Sequence, residues 1–172
     1  MATVFLGLGS NIQRERYIGV GLDALVAMFG EIRTSSVYDG DAIGFAGNPF
    51  LNLVARVETD VPVSTLAQRL RQLEYMHGRP ANAPRNSPRQ LDIDILTYDD
   101  RVGVVDGVVL PRPEILSNAF VLRPLAELAP DVLHPEVGLT YAALWAAYDK
   151  DAQTLWPVDF VWRGRPLPLT SS

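Results

Sequence analysis

The stretch QLDIDILTY, residues 90–98, alternates acidic and aliphatic side chains before it ends in Thr and Tyr. In a β-strand, residues i and i+2 point to the same side of the sheet. Asp92 and Asp94 are therefore expected on one face, with the aliphatic residues beside them on the opposite face, in the core. The pattern predicts a strand that buries one face and presents two carboxylates on the other.

The residues before this strand predict five further strands and helices, with two loops between them. Strands are indicated where branched aliphatic residues cluster, and helices where apolar residues recur every three or four positions. In chain order they are a strand at 3–10, a helix at about 14–29, a weak strand at 31–39, a loop at 40–49, a strand at 50–59, a helix at 61–78 and a loop at 79–88. This is the split βαβ order, so we predict an α+β fold with a ferredoxin-like βαββαβ core, an antiparallel sheet with both helices packed on one face.

The remaining residues, 101–172, predict a C-terminal extension of this core. It contains a hairpin candidate, VGVVDGVVLP at 102–111, short helices near 118–128 and 140–148, and a proline-rich tail that we expect to wrap around the domain. Because the chain shows no internal repeat and no linker, residues 1–172 are predicted to form a single domain.

Composition limits the possible partners and location. The net charge of −5 argues against general affinity for nucleic acid or for an anionic membrane. Cysteine is absent, which excludes disulfides and thiolate metal sites. The N-terminus does not resemble a signal peptide, and no apolar run reaches the length of a membrane span. We therefore expect a cytoplasmic protein that acts on small molecules, a monomer with a dimer as the alternative.

Arginines are concentrated immediately before the paired aspartates. All of the 15 basic residues except Lys150 are arginine, and five of them lie within residues 69–89. Arginine binds phosphate oxygens through a planar fork, and two neighbouring carboxylates are relieved of their repulsion by Mg²⁺, which usually also binds substrate phosphates. The combination is typical of phosphoryl transfer. The alternative is an exposed acidic strand face beside a solvated arginine loop.

Other motifs carry less information. GLGSN at residues 7–11 lacks the third glycine of a dinucleotide-binding fingerprint, and the chain has no GxxxxGK[ST] phosphate loop. His77 and His134 are far apart in the sequence, so we expect each at a helix end or on the surface and neither as a metal ligand.

Six motifs in order resemble the 6-hydroxymethyl-7,8-dihydropterin pyrophosphokinase family, over residues 4–132. They are LGLGSN, SSVYDG, NPFLNLVARVET, LEYMHGR, PRQLDIDIL and LPRPEILSNAFVLRPLAELAP. The resemblance implies an enzyme of folate biosynthesis that transfers pyrophosphate from ATP to the hydroxymethyl group of the pterin. It also implies attack of that hydroxyl on the β-phosphorus, departure of AMP, and no covalent enzyme intermediate.

The resemblance also implies roles for individual residues. Asp92 and Asp94 would hold two Mg²⁺ ions, and Arg79 and Arg89 would assist the transfer as catalytic residues. The residues implied to bind ATP are Arg71, Glu74, Arg85, Arg89, Ile95 and Arg112. The residues implied to bind the pterin are Gly40, Asp41, Ile43, Phe50, Asn52, Asn86 and Phe120, among which Phe50 and Phe120 would sandwich the ring and Asn52 would hydrogen-bond to it.

Several positions depart from the family pattern and leave the acceptor open. They are Gly40 and Asp41 where Thr and Pro are usual, Ala81 and Asn118 where arginines are usual, Asn86 in place of Trp, and Arg112 in place of His. Three hypotheses follow: the standard pterin as acceptor, a different pterin or alcohol at the same Mg²⁺–ATP site, or a ligand-binding domain without catalysis.

Overall fold

A computed structural model describes residues 1–40, 49–78 and 90–170. The strands are β1 Ala2–Ser10, β2 Arg33–Thr34, β3 Val37–Gly40, β4 Leu51–Thr59, β5 Asp92–Tyr98, β6 Gly103–Val105, β7 Val108–Leu110, β8 Leu155–Val158, β9 Val161–Trp162 and β10 Arg165–Pro166. The helices are α1 Arg14–Phe29, α2 Val63–Met76, α3 Glu114–Ser117, α4 Ala119–Leu128 and α5 Tyr141–Ala147.

The central sheet is antiparallel and has the order β5-β1-β4-β3-β8, with β2 also paired to β4. The first four strands in this order are those of the predicted core, so the ferredoxin-like arrangement is confirmed. Helix α1 has the predicted bounds and ends at Gly30, whose φ of 76° is easily adopted only by glycine. The 102–111 hairpin is confirmed as the β6–β7 pair.

The weak strand predicted at 31–39 is wrong as a single element, because it divides into β2 and β3. At the break, the N–H of Val54 donates to the hydroxyl of Ser35 at 3.0 Å. The N–H of Ser36, the residue after Ser35, donates to the carboxylate of Glu127 at 3.0 Å. Side-chain oxygens thus take the place of main-chain partners, and the ladder is interrupted.

Both faces of the sheet are covered. Aliphatic residues of β1, β4 and β5 pack with α1 and α2 on one face, as the sequence predicts. On the other face, Phe5, Val54 and Leu96 pack against residues of α3, α4 and α5, which the sequence did not assign to a layer. Among the described helices, none is both long and apolar enough to cross a membrane.

The C-terminal tail wraps the domain as expected. The N–H of Leu169 donates to Thr34 Oγ1 at 3.0 Å, and the N–H of Thr34 donates to the Leu169 carbonyl at 2.9 Å. The expectation for His134 is wrong, because its side chain is buried and its Nδ1 accepts from the N–H groups of Glu136 and Val137 at 3.2 and 3.1 Å. His77 lies at the C-terminal end of α2, as expected.

Candidate active site

Strand β5 presents the two aspartates as predicted. Asp92 and Asp94 are partly exposed, whereas Ile93 and Ile95 are buried in the core with α1 and α2. The alternation therefore places both carboxylates on the sheet face opposite these helices. The side chain of Ile95 lies in the core, so the predicted contact between Ile95 and ATP would have to use the main chain.

Glu74 joins the two aspartates from the last turn of α2. Its side chain is only 2% exposed, and Oε2 accepts from the N–H of Ile93 at 2.8 Å. This bond satisfies a main-chain donor of β5, which lies at the end of the sheet order. One carboxylate oxygen each from Glu74, Asp92 and Asp94 lies within 4.8 Å of the other two. Such a group of oxygens suits a hard divalent cation.

Two arginines adjoin this acidic cluster of Glu74, Asp92 and Asp94. Arg112 Nη2 lies 3.5 Å from Asp94 Oδ1, and its Nε lies 2.8 Å from Glu114 Oε2. The main-chain N–H of Arg112 donates to the carbonyl of Leu96 at 2.8 Å, which fixes this segment along β5. Arg71 is half exposed, with Nη1 3.8 Å from Glu74 Oε1.

Glycines in β1 link the acidic cluster to the predicted pterin residues. Gly9 pairs with Asp92 on one side and with Asn52 on the other. A Cβ atom on Gly9 would lie 2.9 Å from Asn52 Oδ1 and 3.3 Å from Phe50 Cδ2, so a side chain at this position would require the Asn52 amide and the Phe50 ring to shift. Asp92 and Asn52 are thus two strand spacings apart, about 10 Å.

A second group of predicted pterin residues lies at the end of β3. The Cα of Gly40 faces the ring of Phe120, because a Cβ there would collide with the ring and with the carbonyl oxygen of Thr154. Asn118 begins α4 by accepting from the N–H of Phe120 at 2.9 Å. The sequence shows Asn118 as a departure from the family, and its capping role follows a local signal as well, because Asn before an apolar run is a common helix N-cap.

Six of the predicted site residues lie outside the described residues. They are Asp41, Ile43, Arg79, Arg85, Asn86 and Arg89, and the departure Ala81 lies there too. Their roles stay predictions. Of the others, Glu74, Asp92, Asp94, Arg71 and Arg112 form one group. Gly40 adjoins Phe120, and Phe50 adjoins Asn52.

One ion pair beside these residues was not predicted from the sequence. Arg14 donates from Nη1 and Nη2 to the two oxygens of Asp39 at 2.8 and 2.7 Å. Hydrogen bonding to Arg14 lowers the pKa of Asp39, and the same bonds raise the pKa of Arg14. The pair joins residues 25 positions apart, so no local pattern signals it.

Comparison with known proteins decides the family. The model of the 7,8-dihydro-6-hydroxymethylpterin-pyrophosphokinase (HPPK) family matches residues 5–130. The chain belongs to the HPPK family. The chain is 37% identical to the 2-amino-4-hydroxy-6-hydroxymethyldihydropteridine pyrophosphokinase of Aquifex aeolicus over 138 residues. The alignment covers 78% of this chain and 85% of the relative. The enzyme of that name in Pseudomonas aeruginosa is 34% identical over 137 residues, 77% and 84% of the two chains.

Some similar proteins are much longer than this chain. Folic acid synthesis protein fol1 of Pneumocystis carinii is 30% identical over 179 residues, which cover 96% of this chain and 24% of that protein. The crystal structure of Plasmodium falciparum HPPK-DHPS wild type with pterin and p-hydroxybenzoate has a TM-score of 0.66 over 86% of this chain and 43% of that chain. At 15% identity, this last likeness supports the fold alone.

Proposed function

We propose that the chain transfers the pyrophosphoryl group of ATP to the hydroxymethyl group of 6-hydroxymethyl-7,8-dihydropterin, a step of folate biosynthesis. The products are AMP and the pterin diphosphate. Membership of the HPPK family supports the reaction. The observation that carries the proposal is the row across the sheet in which Asp92, Gly9 and Asn52 are neighbours, because it brings the acidic cluster beside the pterin residues.

The acidic cluster is the proposed magnesium site. Its three carboxylates fit the ion, because their oxygens come within 4.8 Å of one another on a partly exposed face. Asp92 and Asp94 would hold two Mg²⁺ ions. When bound, Mg²⁺ supplies positive charge that offsets the charge of the triphosphate.

Arginines would bind the phosphates around this site. Arg112 and Arg71 already lie beside the cluster, and a guanidinium can turn from a carboxylate to a phosphate oxygen because both suit its planar fork. We propose Arg79 and Arg89 as the catalytic arginines and Arg85 as a further ATP contact, with the main chain of Ile95 beside the nucleotide. Their charge would stabilise the transition state, in which negative charge spreads over the transferred group.

The pterin would lie between Phe50 and Phe120. The amide of Asn52 offers both a donor and an acceptor, which suits the polar edge of the pterin ring. Gly40, Asp41, Ile43 and Asn86 would complete the pocket. With both substrates fixed, the hydroxyl oxygen of the pterin would attack the β-phosphorus. The bond from this phosphorus to the oxygen that it shares with the α-phosphate would break, AMP would leave with that oxygen, and the hydroxyl proton would pass to solvent. Positioning then supplies much of the rate enhancement, without a covalent enzyme intermediate.

A second candidate is the same reaction on a different pterin. Gly40 favours it, because the ring of Phe120 fills the space that a side chain at this position would occupy. The pocket wall therefore has a different shape from one that carries threonine there. The cytoplasmic location and the monomeric state stay predictions from the sequence.

The test is the release of AMP from ATP in the presence of Mg²⁺ and 6-hydroxymethyl-7,8-dihydropterin. We expect AMP and the pterin diphosphate in equal amounts, and no AMP above background with a 6-methyl pterin, which lacks the attacking hydroxyl. Turnover of another hydroxymethyl pterin at a higher kcat/KM would favour the second candidate. The absence of AMP with every acceptor, at saturating ATP and Mg²⁺, would contradict the proposed function.

A further inference from the structure

Arg14, at the start of α1, contacts both chain segments that flank the predicted pterin pocket. Its two terminal nitrogens bond both oxygens of Asp39 in β3. Nη1 also donates to the carbonyl oxygen of Pro49, two residues before β4 begins, at 3.2 Å. One guanidinium thus holds together the end of one strand and the start of the next.

Each of these contacts is made to a segment that continues into one side of the predicted pterin pocket. Asp39 Oδ1 also accepts from the N–H of Gly40 at 2.8 Å, and Gly40 packs against the ring of Phe120. On the other side, Pro49 precedes Phe50, whose ring adjoins Gly9 together with the amide of Asn52.

The pair differs from an ordinary surface ion pair. The side chains of Arg14 and Asp39 are 26% and 15% exposed, and the contact is a two-point fork rather than a single bond. Bidentate geometry in a partly buried place restricts both distance and orientation. Hydrogen bonding to Arg14 also lowers the pKa of Asp39, so the pair stays ionised at neutral pH.

We propose that Arg14 is a positioning residue for the pterin: through Asp39 and Pro49 it sets the spacing of the two aromatic walls that hold the ring. The proposal rests on the proposed function, because it assumes that the pterin lies between Phe50 and Phe120. Dispersion contacts depend steeply on distance, and a gap of about 0.5–1 Å loses roughly a quarter to a half of each contact. A pocket whose walls separate would therefore bind the pterin weakly, whereas ATP would bind as before.

The experiment measures two affinities separately in the full chain. Calorimetry gives the Kd of a non-hydrolysable ATP analogue with Mg²⁺, and then the Kd of 6-hydroxymethyl-7,8-dihydropterin in the presence of that complex. For Arg14→Ala we expect the pterin Kd to rise about tenfold or more and the nucleotide Kd to change less than about twofold. In the steady state, KM for the pterin should rise more than kcat falls.

Three further variants separate positioning from general damage. Asp39→Asn keeps an acceptor for the N–H of Gly40 but loses the charge, so it should weaken pterin binding by less than Arg14→Ala. The double variant should be no weaker than Arg14→Ala alone, because both changes break the same contact. Arg14→Lys should recover part of the affinity, since it keeps the charge without the fork.

Arg16→Ala is the matched control, because Arg16 is exposed on the same helix, where it bonds to Gln13 and lies over the ring of Tyr17. It should leave both affinities unchanged.

Equal pterin affinity in the wild type and Arg14→Ala would overturn the inference and leave the proposed function standing. An equal loss of pterin and nucleotide affinity would also overturn it, because that is the effect of general destabilisation. If the wild type itself bound no pterin, the proposed function would fail first and the inference with it. If Arg14→Ala did not fold, Asp39→Asn and Arg14→Lys would decide by the same two affinities.

Discussion

Two charged groups lie near the same end of the sheet and are built in opposite ways. Arg14 and Asp39 bring unlike charges together in a two-point contact at 2.8 and 2.7 Å. The acidic cluster brings three like charges to within 4.8 Å of one another. The first arrangement stabilises the fold by itself. In the second, the carboxylates repel one another, and this repulsion is reduced by the neighbouring Arg71 and Arg112 and can be offset further by a bound cation. The comparison indicates that the ion pair positions the chain and that the cluster binds a ligand.

The largest expected effect comes from neutralising one member of the cluster. Asp94→Asn should lower kcat by at least about 100-fold, because it removes charge that holds the metal and phosphates. In thermal unfolding, Mg²⁺ with an ATP analogue should raise the Tm of the wild type and not that of the variant. Asp100→Asn, a change of an exposed aspartate just after β5, is the control and should behave as the wild type. A variant with Mg²⁺-dependent turnover equal to that of the wild type would contradict the role of the cluster.

The next effect concerns the pocket wall that Asp39 supports. Gly40→Ala should cost about 1–3 kcal/mol of stability, because the added methyl group meets the ring of Phe120. It should also raise KM for the pterin. Gly19→Ala is the matched control: apart from its chain neighbours and the backbone of its own helix, no atom of the described residues lies within 4 Å of the added Cβ, and alanine favours the helix by up to about 1 kcal/mol. Denaturant unfolding and pterin kinetics measure both variants. Equal stability and KM in the two variants would exclude a close-packed wall.

The ion pair of Arg14 and Asp39 should contribute less to the free energy of unfolding, and its contribution should depend on pH. The pKa of Asp39 lies below its ordinary value of 3.8 when folded, so the unfolded chain takes up the proton first as the pH falls. Asp39→Asn should therefore cost about 1–2 kcal/mol at pH 7. This gap should persist down to about pH 4 and close below it. Denaturant unfolding at pH 7, 5 and 3 measures the gap. If the difference in unfolding free energy between the wild type and Asp39→Asn grew as the pH falls, this prediction would be contradicted.

The smallest effect lies outside both groups, at His134. Burial lowers its pKa from 6.5, against a smaller opposing effect of Glu136, so the folded state favours the neutral ring that accepts two main-chain N–H bonds. Its contribution of about 1 kcal/mol should be complete above pH 6.5 and decline as the pH falls below it. An NMR titration should place the pKa of His134 below 6.5, and His134→Gln should remove this part of the pH dependence. A pKa above 6.5 would contradict the account.

Local patterns predicted the core elements well. The alternation in β5 and the period of α1 are carried by neighbouring residues, so both were evident from the sequence. Strand β8 was not predicted, because it contains Pro157 and pairs with β3, more than 100 residues earlier. A proline is tolerated there because β8 lies at the end of the sheet order. The break between β2 and β3 depends on the hydroxyl of Ser35, which propensities do not describe.

The candidate site likewise contains residues that local patterns predict and contacts that they do not. Asp92 and Asp94 were evident from strand alternation alone, whereas the roles of Glu74, Asn52 and Phe120 required the family resemblance. The contact between Arg14 and Asp39 had neither a local pattern nor a motif. It arises only when α1 and β3 meet, so it became visible in the three-dimensional structure.

The central claim is that the acidic cluster binds the nucleotide through a divalent cation. The most direct test is calorimetric titration of a non-hydrolysable ATP analogue into the wild type and Asp94→Asn, with and without Mg²⁺. We predict that Mg²⁺ raises the affinity of the wild type at least about tenfold and leaves that of the variant unchanged. Equal wild-type affinity with and without Mg²⁺, or a full increase in the variant, would contradict the claim.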